Sequence, residues 1–288
     1  MKNRFLFLFA FLFVNLTNNI FANEFTFDVE EINISNNGNI INGSNGTART
    51  IDNSLEIKAD KLIYNKNLST LDAIGNVLVT DFNNSLEVKA DKLMYDKSLS
   101  TLDAIGNVLI TDTTNEFFLK SQKIFYDIKN QQILSKSKSQ FEDILGNLIL
   151  SNDFILKKNE DLIKFNNVEV IDLQKNSLVL DRAFMNVVSK KLIGKDVVIE
   201  FKDQSFEKNN EPRLKGNTIS SDQDKTIIKN GVFTSCKRND DCPPWQLSAK
   251  EIKHDKKKKN NKLQECVVEN LRYSCILFSK IFSPRPHS

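Results

Sequence analysis

Few residues of this chain are of types that do covalent chemistry, and their spacing argues against it. There are two histidines, His254 and His287, and four cysteines, Cys236, Cys242, Cys266 and Cys275. No Cys-x-x-Cys pair occurs, so a zinc site is not expected. His254 is followed by Asp255, but no serine nucleophile, cysteine–histidine constellation or phosphate loop accompanies them. The expectation is a non-enzyme with no catalytic residue, no metal and no cofactor. Cys236 and Cys242 are close enough in sequence to close a small local disulfide, or they stay free. His254, Asp255 and Trp245, the last just after two prolines, read as packing residues.

The elements around them are dominated by a duplication. Ser54–Asp81 and Ser85–Asp112 match at a period of 31 residues with five differences. A degraded third copy follows, with Lys120–Asp127 (KSQKIFYD) one period after Lys89–Asp96 (KADKLMYD). Fixed-period similarity marks a stacked fold whose units bury their apolar faces against neighbours. Within each unit the rhythm is two. Leu71, Ala73, Gly75, Val77 and Val79 alternate with polar Asp72, Asn76 and Thr80, as do Leu55, Ile57 and Ala59. The parity then changes to Leu62 and Tyr64, as a bulge or corner requires. Leu148–Leu156, Ile163–Ile171, Ser177–Phe184, Lys195–Phe201 and Thr226–Phe233 are further strand-like stretches, and helical spacing is nowhere sustained.

The fold class is therefore all-β: stacked antiparallel strand repeats with a disordered C-terminal tail. The inward positions are Leu55, Ile57, Ala59, Leu71, Ala73, Val77 and Val79, then Leu86, Val88, Leu102, Val108 and Ile110. They form either a simple packed core or a slot between facing sheets that accepts acyl chains. The terminal rungs leave strand edges open to partners of like architecture.

Composition narrows the classes. Charged residues make up 27% and the net charge is +3, too balanced for a nucleic-acid partner. Lys2 and Arg4 precede the apolar run Phe5–Val14, and Ile20-Phe21-Ala22 ends in a small residue. Residues 1–22 thus read as a signal peptide, which directs the chain to the periplasm or cell outer membrane. Residues 23–53, rich in Asn, Ser, Thr and Gly, read as a flexible lead-in with one short strand at Phe25–Val29.

A more specific pattern follows the strands. Gly231-Val232-Phe233-Thr234-Ser235-Cys236 is succeeded by Pro243-Pro244-Trp245-Gln246 and by Ile252-Lys253-His254-Asp255. With the Ala-Asp-x-apolar-x-Tyr and Ala-x-Gly-Asn-Val signatures upstream, this resembles the outer-membrane LPS-assembly protein family, LptD (OstA, organic solvent tolerance protein). The resemblance covers roughly residues 50–260. It implies an OstA-like β-jellyroll at 54–230, with repeats at 54–84 and 85–115, and a junction at 231–259 to a barrel absent here. By resemblance the jellyroll shields lipopolysaccharide (LPS) acyl chains in the periplasm. Its partners would be LPS, an LptA-like bridge protein added at an edge strand, and LptE with the barrel in the full-length member. Cys236 takes the place of the family's junction cysteine, whose partner beyond the barrel is missing. A free-standing LptA-like bridge or lipid chaperone, and a structural β-solenoid or adhesin, are the alternatives.

The last segment departs from the family. Read one base out of frame with permitted synonymous codons, KLQECVVENLRYSCILFSKIFSPRPHS gives NYKNAWLKIYDIPVFYFPKFFHPDPT, which resembles the family's next segment. Residues 260–288 are accordingly expected to be a frameshifted tail that does not fold with the domain.

Overall fold

The computed structural model describes residues 24–115, 117–142, 146–202, 210–237, 245–258, 260–269 and 273–274. The expected signal peptide, Cys242 and His287 lie outside the described residues. Strand succeeds strand with almost no helix: β1 (Phe25–Ser35), β2 (Ile40–Thr50), β3 (Leu55–Asn65), β4 (Thr70–Asp81), β5 (Leu86–Asp96), β6 (Thr101–Asp112) and β7 (Phe117–Asp127). The short β8 (Gln132–Ser135) and β9 (Ser139–Glu142) share one place in the sheet, since both pair with β7 and with β10 (Leu148–Lys157). Then come β11 (Leu162–Ile171), β12 (Ser177–Asn186), β13 (Leu192–Glu200), β14 (Arg213–Ser221), β15 (Lys225–Thr234), β16 (Gln246–Asp255), β17 (Asn260–Glu269) and the two-residue β18 (Tyr273–Ser274). All belong to one 18-stranded antiparallel sheet among the described residues, in which sequence neighbours pair except β8 with β9. The sheet is all-β as expected, with two strands of 11 or 12 residues per repeat.

A regular device bends each strand pair. Asn76 in β4 and Asn107 in β6 have left-handed backbone (φ 48° and 46°), each preceded by a glycine at φ +79° or +81°. Pairing registers shift at the same level, between Ile74 and Val77 and between Ile105 and Val108. Left-handed residues recur at Asn45, Asn167, Asp196, Asn230 and Glu265, one on each of β2, β11, β13, β15 and β17. Asparagine and glycine tolerate this conformation best. A carboxylate on the preceding strand then accepts from the corner amide: Asp60 from Asn76 and Asp91 from Asn107, both at 2.9 Å, and Glu30 from Asn45 at 3.0 Å.

This line folds the sheet over on itself. A flat strand of such length spans about 36 Å. Yet Tyr126, near the end of β7, bonds Asp81 at the opposite end of β4, with the tyrosine oxygen 2.7 Å from Oδ2. The two long margins of the sheet must therefore meet. Between the folded halves lies one apolar core running from Phe25 to Phe233.

Four expectations need correcting. Residues 25–50 are no flexible lead-in: β1 and β2 form an 11-residue hairpin in continuous register. Its polar Asn and Gly are there because the turn at Asn36–Gly38 and the corner at Asn45 need left-handed backbone. The segment 260–269 is not disordered, for β17 pairs with β16 from Asp255↔Asn260 to Gln246↔Glu269, satisfying an otherwise open edge. Gly75 does not share the inward face of its neighbours. It stands at the corner, where an added Cβ would run into the Asp60 carboxylate. Finally, β14 occupies a stretch in which no strand was expected.

Candidate functional site

All twelve residues expected to face inward do so, and none is more than 4% exposed. Leu55, Ile57 and Ala59 come from β3, Leu71, Ala73, Val77 and Val79 from β4, Leu86 and Val88 from β5, and Leu102, Val108 and Ile110 from β6. They join a single core cluster with Leu119, Phe154, Phe165 and Leu180. Small Ala73 is flanked in the sheet by Leu62 of β3 and Leu93 of β5, both fully buried. The interior is thus a continuous apolar lamina, closed along its length. At its C-terminal end Val170, Leu178, Leu192, Ile199 and Phe201 are only half-buried against it.

The margins that meet opposite the corner line are two rows of turns. Backbone bonds tie one row together: Lys66 N to Asn39 O, Lys97 N to Ser69 O, Ile128 N to Ser100 O, and Lys158 N to Gln131 O, each 2.9–3.0 Å. The other row is tied by Phe82 N to Ser54 O and Thr113 N to Ser85 O. Where the rows face each other, buried polar side chains close the seam. Lys158 Nζ donates to Asp112 Oδ2 at 2.7 Å and to the carbonyl oxygen of Asn84 at 2.6 Å. The Lys158 and Asp112 side chains are only 10% and 0% exposed. Asp112 Oδ1 also caps its own turn, accepting from the backbone of Thr114 and Asn115. Asp81 does likewise for Asn84 while accepting from the Tyr126 hydroxyl. At the N-terminal end Glu24 accepts from Tyr64 at 2.7 Å and pairs with Lys97 at 3.7 Å.

Sequence reasoning missed this clasp, because charged residues at strand ends read as solvated. The signal was present in the repeat. Tyr64, Tyr95 and Tyr126 recur at 31, as do Thr50, Asp81 and Asp112. Tyr95 packs edge-on against Phe25, ring centroids 5.9 Å apart, and its hydroxyl has no hydrogen-bond partner among the described residues, although the residue is only 6% exposed.

The tyrosines set a pH limit. Burial first, and then the Asp81 charge, push Tyr126 far above the usual phenol range. Burial and the bond to Glu24 do the same for Tyr64. Tyr95 is pushed up to about 12, by burial and then by Asp52, Glu24 and Asp81. Folded pKa values above the unfolded value of about 10 favour the neutral phenol. Their stabilisation is complete below pH 10 and is lost as pH rises beyond it, through about 12 for Tyr95. Urea unfolding at pH 7 and pH 11 should therefore give a lower midpoint at pH 11. Tyr95→Phe should narrow that gap without loss at pH 7. Tyr126→Phe should cost about 1–2 kcal/mol at pH 7, because Asp81 loses a donor.

The junction residues take separate places. Cys236 is a buried free thiol, so the expected local bridge to Cys242 is not formed. Its Sγ lies 3.9 Å from the Trp245 carbonyl oxygen instead. Trp245 is half-buried against Phe233, with ring centroids 5.8 Å apart. His254 Nδ1 lies 2.8 Å from Asn261 Oδ1 on β17, and Asp255 accepts from the Lys258 backbone at 2.9 Å, capping the turn. Cys266 is disulfide-bonded. Among the described residues no cluster of three or more His, Cys, Asp or Glu could hold a metal ion. No helix among them is long and apolar enough to cross a membrane.

No protein-family model matches the chain, and no curated protein matches it. Thirteen chains of known structure do. One is LptH from Pseudomonas aeruginosa, the LptA-homologous periplasmic component of its lipopolysaccharide transport device. It is 10% identical, with 49% of this chain and 81% of that one covered, at a TM-score of 0.23. So loose a superposition assigns nothing to this chain.

Proposed function

We propose that this chain is a lipid-carrying β-jellyroll of an LPS-transport bridge, and that its apolar lamina shelters acyl chains in transit through the periplasm. The observation that carries the reading is the lamina itself: one contiguous apolar cluster from β1 to β15 inside a folded antiparallel sheet, with the buried serines Ser121, Ser135, Ser139 and Ser151 beside it. Each Å² of acyl surface withdrawn from water there stabilises the complex by about 25 cal/mol. No nucleophile or cofactor takes part. Among the described residues β1 pairs only with β2, and Ile32 and Ile34 toward its end are exposed. That edge suits strand addition by an LptA-like partner. The junction motif at Cys236, Trp245 and His254-Asp255 supports the finer assignment to the LPS-assembly protein family, with delivery to LptE and an outer-membrane barrel.

The closed state of the interior favours a second reading, a structural solenoid or adhesin whose core is simply filled. Binding separates the two. The full exported chain should co-elute with radiolabelled LPS in detergent-free gel filtration and saturate as lipid is added. Elution free of label at every concentration would refute the carrier reading.

A further inference from the structure

A lamina closed along its length can take up an acyl chain from the side only if the folded sheet opens somewhere. The corner line is covalently continuous, and strand pairing resumes on both sides of its register shifts, so it can serve as a hinge. The seam opposite is different in kind. Across it the bonds described above run between side chains and turns rather than along a strand ladder. We infer that the Lys158–Asp112 seam is the entry port of the lamina, and that on opening Lys158 exchanges Asp112 for a phosphate on the headgroup of the incoming lipid. This rests on the carrier reading and says where on the fold the lipid enters.

Three observations converge on that exchange. Lys158 is the one lysine whose side chain is nearly buried in an ion pair among the described residues. It stands in a turn, Lys158–Glu160, at the margin between β10 and β11, so it can swing without unpairing a strand. Asp112 keeps two backbone donors from its own turn when the lysine leaves, so opening does not strand a bare carboxylate. A buried ammonium losing its carboxylate is costly unless another anion replaces it. A phosphate at the seam supplies that anion while the attached chains enter the lamina. The headgroup sugar stays in water.

The test uses the full chain, with LPS and the neutral apolar dye N-phenylnaphthylamine as probes. Asp112→Asn keeps the turn acceptor and the lysine but removes the ion pair. It should speed entry of both probes by at least about tenfold. Lys158→Met combined with Asp112→Asn should still speed the dye, while weakening LPS retention by about fivefold through loss of the cation. Asp222→Ala uncaps the exposed β14–β15 turn, outside the lamina and away from the Lys158–Asp112 pair, and should change neither rate. Entry rates unchanged in both seam variants, with LPS still bound, would overturn the port and leave the carrier reading standing. So would an equal acceleration in Asp222→Ala, since access would then follow general loosening. Failure of the wild-type chain to take up LPS would remove the carrier reading and the port with it.

Discussion

Lys158→Ala should destabilise the chain by about 3 kcal/mol, although the residue lies in a surface turn. The Lys158 side chain is 10% exposed and Asp112 is fully buried, so truncation leaves a carboxylate in an apolar margin without its cation. It also removes the donor to the Asn84 carbonyl, and with it a tie between the two turn rows. The two backbone donors to Asp112 Oδ1 remain and keep the loss near the lower end for a broken buried pair. By contrast, Lys157→Ala removes an exposed pair to Glu160 at 2.9 Å and should cost no more than about 1 kcal/mol. Chemical unfolding of the two variants side by side checks the contrast. Equal small losses would mean that the clasp carries no weight.

Removal of residues 85–115 should give a shorter sandwich that still folds. The repeat is 31 residues long, so β7 would meet β4 in the register it now has with β6, Thr70 opposite Asp127 in place of Thr101. The seam would survive as well. Asp81 would move into the position of Asp112 and face Lys158, while Tyr126 would take the place of Tyr95. Two strands fewer shorten the stack by about 10 Å. Stability should fall by about 2–4 kcal/mol, the share of one unit in a quasi-linear fold. Small-angle scattering and urea unfolding measure the two quantities. A chain that fails to fold would show that the duplicated copies are not interchangeable.

The period-two rhythm made most of the fold legible. Alternation placed all twelve inward residues correctly because a one-residue slip would have exposed every one of them. It failed where left-handed backbone, rather than burial, dictated the residue. Asn36, Asn37 and Asn45 read as loop, yet they shape a hairpin, and Gly75 read as an inward position but makes a corner. The clasp was hidden because Asp81, Asp112 and Lys158 are of types that ordinarily face water. Only their long-range pairing across the folded sheet makes them interior.

Residue 265 bears on the reading frame of the tail. The corner positions at 45, 76, 107 and 230 are asparagine, whereas β17 places Glu265 in the same left-handed conformation (φ 49°), which suits glutamate poorly. The one-base-shifted reading puts an asparagine at that position. This agreement between corner geometry and codon arithmetic supports the proposal that the tail is out of frame. Sequencing of the locus should find the barrel frame one base away.

The central claim is that lipid occupies the interior of the folded sheet. Photo-crosslinking residues placed at Ile57, Leu71 and Val77, all at most 2% exposed, test it against outward-facing controls at Lys58 and Lys89. In cells making LPS, the three inward positions should yield LPS adducts on irradiation and the two outward ones none. Adducts absent from the inward positions, or equal on both faces, would contradict the account.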